Sequence, residues 1–385
     1  MEKVAIVGVG HSKFGRRTDL NLNELAFESI KEALIDAGIT SKDIEHVTVG
    51  TMGGLSEESL PAVVINEYAG FNSKGLLRVE AACATGSAAI REAYANIASG
   101  LCDVAIAIGV EKMTQVEGST AIEMLGRAGS YLWEFENYGL TFPAYYAMYA
   151  IAHMKKFKTT EEQLGLVSVK AHKYGAMNNL AEFQKEINLD KVLNSPVVSW
   201  PLRLYNSCPV SDGSASVVLA SEKAAKKLTD TPIWIKGIGA ASDTANLSKR
   251  QSFTEIKSTS KAAEMAYKMA KISPKDIDVA NVHDCFSISE IMAYEDLGFC
   301  KKGEGGKLIE NEDTYIDGRI PVNLDGGLKA KGHPIGATGT SMIVEITKQL
   351  RNEGNKRQAR IKNGLGLVHN LGGTGHTCYV TVLSQ

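Results

Sequence analysis

Apolar residues recur along this chain in two rhythms that keep alternating. Residues 4–10, Val-Ala-Ile-Val-Gly-Val-Gly, form a β-branched run ending in glycines, which predicts a buried strand entering a turn. Residues 21–37 switch to the helical period. Leu22, Leu25, Ala26, Ile30, Ala33, Leu34 and Ala37 share one face, with Asn21 as N-cap and Gly38 as the stop. Further strands are predicted at 47–51, 75–79 and 104–110, and further helices at 59–69 and 88–99. Strand and helix alternate in this way in α/β layer folds with a largely parallel sheet.

The pattern then returns. Residues 4–10 are echoed by Ile-Trp-Ile-Lys-Gly-Ile-Gly at 233–239, and Ala-Gly-Ile-Thr-Ser-Lys-Asp-Ile at 37–44 by Ala-Lys-Ile-Ser-Pro-Lys-Asp-Ile at 270–277. Each of the latter runs leaves a helix and enters a strand, at 46–50 and 279–283. The second half continues with helices at 288–297 and 336–350 and strands at 364–371 and 377–383. Two copies of one α/β unit are therefore predicted. The N-terminal half takes residues 1–114 and 206–229, and the C-terminal half takes 230–385. Between them, residues 115–205 depart from the pattern. They carry Tyr131, Trp133, Phe135, Tyr138, Phe142, Tyr145, Tyr146, Met148 and Tyr149 ahead of a polar helix at 160–177. So long an insertion needs structure of its own, either as a cover over an active site or as a packing subdomain.

Composition narrows the class without choosing a function. With 385 residues, 44% hydrophobic and 22% charged, the chain suits an ordinary globular protein of two domains, and a net charge of −2 gives no footprint for nucleic acid or an anionic membrane. Six cysteines without a CxxC pair suggest neither a zinc site nor a disulfide framework, and a reducing cytoplasm fits them best. The sequence shows no signal peptide or membrane-length apolar run, so a cytoplasmic protein is expected.

Candidate chemistry gathers where strands end. Cys83 lies between the strand at 75–79 and the first turn of the next helix, among Ala84, Gly86, Ser87 and Ala88. The unpaired N–H groups and dipole of a helix start favour a thiolate, and a drop of about one and a half pKa units would ionise roughly half of a free thiol at neutral pH. Taken alone, Cys83 reads more readily as a buried core cysteine. A second stretch, Gly326 to Gly339, sets His333 between Gly332 and Pro334, a tight backbone suited to an imidazole acting as general base or oxyanion donor. Taken alone, that stretch also reads as a phosphate-cradling loop. Two more stretches are Val282-His283-Asp284-Cys285-Phe286 and Val368-His369-Asn370-Leu371-Gly372-Gly373-Thr374-Gly375. Cys83, His283, Cys285, His333 and His369 all fall at predicted strand ends, where α/β proteins collect ligands. His11, His46, His153 and His172 are expected to be solvated or structural, and Cys378 to belong to the core.

These four ordered motifs resemble the thiolase superfamily, most of all the sterol-carrier-protein-2-type thiolases and the archaeal acetyl-CoA acetyltransferases related to them. The likeness extends from residue 4 to 382. It implies a thiolase-like α/β fold, two duplicated βαβαβαββ halves in αβαβα layers with an inserted loop domain at 115–205 covering coenzyme A and substrate. It implies an acyltransferase that condenses two acetyl-CoA into acetoacetyl-CoA through an acetyl-cysteine, reversibly by thiolysis, and that feeds the mevalonate pathway. Cys83 would be the nucleophile. His333 would activate it and, with His283, hold the thioester oxygen of the second substrate. The backbone N–H groups of Cys83 and Gly373 would form the other oxyanion hole. Where the better-known thiolases carry a catalytic cysteine, this chain has His369. The second acid/base would then be Cys285, with His369 beside it or in its place. Cys208, standing where the common family has serine, and Phe286 would contact coenzyme A. No metal or cofactor beyond coenzyme A thioesters is implied. A homodimer or homotetramer is implied, with possible assembly with hydroxymethylglutaryl-CoA synthase. A ketoacyl synthase, a hydroxymethylglutaryl-CoA synthase-like enzyme and a non-catalytic scaffold or lipid carrier are the alternatives.

Overall fold

Capping chemistry sets the element boundaries that the sequence announces. The Asn21 side chain accepts the Glu24 N–H at 2.9 Å while the Glu24 carboxylate accepts the Asn21 N–H at 2.9 Å, so two donors of the first helical turn are satisfied reciprocally. The computed structural model describes residues 2–56 and 58–385. Its first half runs β1 (Val4–His11), α1 (Leu22–Asp36), β2 (His46–Gly50), α2 (Pro61–Tyr68), β3 (Gly75–Val79), α3 (Thr85–Ala98) and β4 (Val104–Glu111). An insertion follows, with helices α4 (Gly118–Gly126), α5 (Phe142–Phe157), α6 (Glu161–Gly175) and α7 (Leu189–Leu193) and the short strands β5 (Val197–Ser199) and β6 (Leu202–Arg203). The chain then forms β7 (Gly213–Ser221) and α8 (Glu222–Leu228). The second half runs β8 (Ile233–Ser242), α9 (Lys257–Ala270), β9 (Val279–Val282), α10 (Ser287–Asp296), α11 (Gly305–Glu310), α12 (Thr338–Leu350), β10 (Leu365–Gly372) and β11 (Thr377–Ser384).

The duplication is visible in the strand order, β3-β2-β4-β7-β1-β8-β11-β10-β9. Reading outward from the junction of β1 and β8, each side meets its equivalents in the same sequence. The junction itself is short, pairing Ala5 with Trp234 and Ile6 with Ile233. The echoed turns are chemically alike as well. Thr40 N–H and Oγ1 donate to Asp43 Oδ2 at 2.9 and 2.8 Å, and Ser273 N–H and Oγ donate to Asp276 Oδ2 at 2.7 and 2.9 Å.

Two features depart from the expected pattern. The sheet is mixed rather than largely parallel: β2–β3, β2–β4 and β9–β10 are parallel, and every pairing made by β1, β7, β8 and β11 is antiparallel. The last strand of each unit turns back on the one before it, and the four-residue connection from β10 to β11 permits no other direction. The second half also lacks a regular third strand. Val322 makes an isolated parallel bridge to Ala280, flanked by Pro321, which has no N–H to give, and by Asn323, held at φ +57°.

The layers follow αβαβα. α1 and α2 cover the outer face of the first half and α9 that of the second, while α3 and α12 lie between. α12 touches β9 and β10 of its own half and β1, β4 and β7 of the other. The two central helices meet backbone to backbone at their first turns. A Cβ on Gly86 would stand 2.5 Å from Thr340 N, and one on Gly339 would stand 2.3 Å from Ser87 N. That approach, open only to glycine, draws two helix N-termini from different halves to one point. Among the described residues no helix is long and apolar enough to cross a membrane.

Candidate active site

At the junction of β3 and α3 the chain turns through Ala82 at φ +50°, an uncommon conformation for a residue with a side chain. The turn is closed by Ala84 N–H to Ala81 O at 3.0 Å and by Ala81 N–H to Thr85 Oγ1 at 2.8 Å. Cys83 is set on this bend, 8% exposed, beside the apolar Leu55, Met113 and Ile335. Burial pushes its thiol up to about 12, opposed by hydrogen bonds from the Gly373 N–H and its own N–H. Glu111, buried nearby, adds to the rise. The expected resting thiolate is therefore not present: the helix start lowers the cost of ionisation without overcoming desolvation. A thiol held in this way acts as a nucleophile only where a base takes its proton.

His333 lines the same cavity as Cys83 and keeps one ring nitrogen free to accept a proton. Its backbone N–H donates to Ser211 Oγ at 3.1 Å, and its Nδ1 lies 2.7 Å from Thr338 Oγ1. The Thr338 hydroxyl proton is already given to Pro334 O at 3.0 Å, so Nδ1 carries the hydrogen and Nε2 keeps a bare lone pair. Burial, then the charge of Lys331, holds the imidazole down at about 3, so the ring is neutral at working pH. His283 stands edge-on to it, ring centres 5.1 Å apart. Asn370 fixes the opposite tautomer there. Its Nδ2 donates to Cys83 O at 3.0 Å and to His283 Nδ1 at 3.2 Å, which leaves Nε2–H of His283 as a donor.

A cavity of about 190 Å³ collects Cys83, Cys208, Cys285, Phe286, His333 and Gly373 on one wall system. The insertion supplies Ile122, Leu125, Phe142 and Pro143 to the same lining, while Tyr145, Tyr146 and Tyr149 pack as its core. It therefore serves as both cover and packing subdomain. A larger cleft of about 490 Å³ adjoins it, sharing Ser207, Cys208 and Pro209 and carrying Lys185 and Lys191. His283 and His369 lie outside the cavity lining. His369 accepts the His283 N–H on Nδ1 at 3.4 Å and bonds Thr259 Oγ1 through Nε2 at 2.9 Å, so both ring nitrogens are engaged.

Residues 4–223 match the family described as "Thiolase, N-terminal domain", and residues 239–385 match "Thiolase C-terminal domain-like". The chain belongs to the thiolase family. Acetyl-CoA acetyltransferase of Methanothermobacter thermautotrophicus is 43% identical over 388 residues, and that of Methanocaldococcus jannaschii 44% over 394, each alignment covering 100% of both chains. Sterol carrier protein 2 of Bos taurus is 34% identical, over 96% of this chain and 70% of its own length. Among solved structures, an "Ltp2-ChsH2(DUF35) aldolase" superposes with a TM-score of 0.86 at 26% identity, over 100% of this chain and 98% of the other. Human mitochondrial 3-ketoacyl-CoA thiolase in complex with CoA gives 0.73 at 17% over 100% and 98%, a likeness of fold.

Several residues that hold this thiolase site together went unassigned from the sequence. Asn370 stands within a motif yet carried no role; an amide beside His369 in a strand of apolar residues and glycines was the available signal. Thr338 and Ser211 looked like ordinary small residues. Asp284, between His283 and Cys285, pairs with Lys329 at 2.6 Å and accepts the Leu328 N–H at 2.8 Å, which ties the strand end to the loop bearing His333. Lys170 pairs with Glu290 beside them, all four groups fully buried. Removing one partner of such a pair costs about 3–5 kcal/mol because the other charge stays buried.

Burial gives this thiolase a distinct acid response. His11, His333 and His369 are each held at about 3 by burial, against 6.5 when unfolded. Below 6.5 the unfolded chain therefore binds more protons, and stability is lost as pH falls from there toward 3. Of the histidines expected to be solvated or structural, His11, His153 and His172 are buried. The expected result is a Tm that declines steadily between pH 6.5 and 5, with net proton uptake on unfolding by calorimetry. A Tm that is flat or rising across that window would contradict these assignments.

Proposed function

We infer that this thiolase is an acetyl-CoA C-acetyltransferase, condensing two acetyl-CoA into acetoacetyl-CoA and free coenzyme A and running thiolysis in reverse. The observation that carries this is one small cavity lined by three cysteines, Cys83, Cys208 and Cys285, with the neutral His333 and Gly373. Full-length identity of 43–44% to enzymes named for that reaction supports it.

In the first half-reaction the Cys83 proton moves to His333 Nε2 as sulfur attacks the thioester carbonyl. The oxyanion is received by the N–H groups of Cys83 and Gly373, and the proton returns to the departing coenzyme A thiolate. Splitting the transfer at a covalent acetyl-Cys83 divides one barrier into two. In the second, Cys285 gives its own proton to His333 Nε2 and takes the α-proton of another acetyl-CoA. His333, now protonated on Nε2, and His283 through its Nε2–H steady the enolate oxygen, and the carbanion attacks acetyl-Cys83. His369 acts through its grip on the His283 backbone. Ser207, Cys208 and Phe286 form the passage for pantetheine, with Lys185 and Lys191 in the adjoining cleft facing phosphate. No cofactor beyond the thioesters is needed.

A place in the cytoplasm upstream of hydroxymethylglutaryl-CoA synthase and the mevalonate pathway, in a homodimer or homotetramer, extends this reading. A consuming step suits it because thiolysis is the downhill direction. The ketoacyl-synthase alternative has no use for Cys285, which makes that residue the test. Cys285→Ala is expected to retain Cys83 acetylation, read by intact mass. Deuterium exchange at the acetyl-CoA methyl group and condensation should fall by about 10²- to 10⁴-fold. Condensation at the wild-type rate would remove the assignment.

A further inference from the structure

Tyr146, on α5 of the insertion, is fully buried behind the cavity wall. Its hydroxyl donates to Gly373 O at 3.0 Å, and its ring stacks on Phe286 with centres 4.6 Å apart and planes 23° off parallel. The same hydroxyl stands close enough to the Cys285 side chain to ease its ionisation. A phenol has one proton and two lone pairs, so with its proton on Gly373 O the oxygen has only a lone pair to offer the Cys285 S–H. The Gly373 N–H, on the other side of that residue, meets Cys83. One hydroxyl thus touches both the thiol of the second half-reaction and the residue that serves the first.

We propose that Tyr146 is a positioning residue for carbon–carbon bond formation, aiming the Cys285 thiol at the substrate α-carbon and turning its O–H onto the sulfur once that thiol has ionised. The inference rests on Cys285 as the group that moves the α-proton. In the condensing direction the C–H bond of the second acetyl-CoA breaks and an S–H bond forms on Cys285. The electron pair passes into the enolate and then to the carbonyl carbon of acetyl-Cys83. The C–S bond to Cys83 breaks, its electron pair returns to sulfur, and the proton that Cys285 first gave to His333 Nε2 passes to Cys83, so both thiols and the neutral imidazole are restored. No further reactant enters. Burial opposes the Cys285 thiolate, and the Tyr146 hydrogen bond works against that opposition. A hydrogen bond to a charged group is the kind whose loss is felt most. The ring stack on Phe286 fixes where the hydroxyl points.

Tyr146→Phe removes the hydroxyl and keeps the ring. Deuterium exchange at the acetyl-CoA methyl group is expected to slow by about 10- to 100-fold, with the basic limb of its pH profile moving to higher pH. The rate of Cys83 acetylation in a single turnover should change by less than about threefold. A second readout needs no turnover. In a Cys83→Ala background, iodoacetamide labelling of the Cys285 peptide should slow on adding Tyr146→Phe and recover only at higher pH. An unchanged exchange rate and limb would overturn the proposal, as would acetylation falling in step with exchange or unchanged labelling. Cys285→Ala, run alongside, separates the two failures. If exchange survives that change, the role of Cys285 is wrong. If it is lost there but not in Tyr146→Phe, the role of Tyr146 is wrong.

Discussion

Cys83→Ala abolishes acetoacetyl-CoA formation and thiolysis, with a fall in kcat of about 10⁴-fold or more, while the protein stays folded. The size follows from what the sulfur does. It is the atom on which the acyl group waits, and removing a covalent nucleophile leaves only the contribution of binding and the oxyanion donors. Alanine takes less space on a bend already closed by Ala84 and Thr85, so the turn persists. The variant should still exchange the methyl protons of acetyl-CoA, because the α-proton removal proposed for Cys285 needs no acyl-enzyme. Loss of product with retained exchange is the expected signature. Product formation above roughly one per cent of wild type would mean that the acyl group is carried elsewhere.

His333→Ala slows acetylation of Cys83 by about 10²- to 10⁴-fold, the usual span for a positioned general base. The thiol it serves is held up at about 12 and its own ring down at about 3, so neither group is ionised near neutrality. Proton transfer must then accompany attack, and single-turnover acetylation by wild type should be flat from about pH 5 to pH 9. An inflection near 6.5 that disappears with His333→Ala would show instead that the imidazole titrates normally. Condensation should fall further than acetylation in this variant, since His333 also faces the second substrate's oxygen. Quench-and-mass measurement of acetyl-Cys83 against steady-state product separates the two losses. Equal losses would restrict His333 to the first half-reaction.

The duplication and the motif positions were legible because both are written in local chemistry. The Thr40–Asp43 and Ser273–Asp276 turns look alike in sequence because they make the same hydrogen bonds. Cys83, Cys285 and His333 were legible as strand-end and helix-start residues, and they do share a cavity. Strand direction was not legible. Nothing local to β7 or β11 states that it runs against its neighbour, and only the brevity of the β10–β11 connection hints at it. The ionisation state of Cys83 was misread for a related reason. A helix start is visible in sequence, but the desolvation that outweighs it comes from Leu55, Met113 and Ile335, far apart along the chain. Asn370 and Tyr146 act through partners 287 and 227 positions away, Cys83 O and Gly373 O, and no spacing rule reaches that far.

The backbone contact between Gly86 and Gly339 also constrains how such a site could arise. Were the two halves separate identical subunits, their symmetry axis would pass between these helices and each side would have to offer the same residue to the centre. A nucleophile facing a nucleophile, or a base facing a base, cannot exchange a proton usefully. Joining the copies in one polypeptide lifted that restriction, so that one helix entrance could specialise in sulfur and the other in nitrogen.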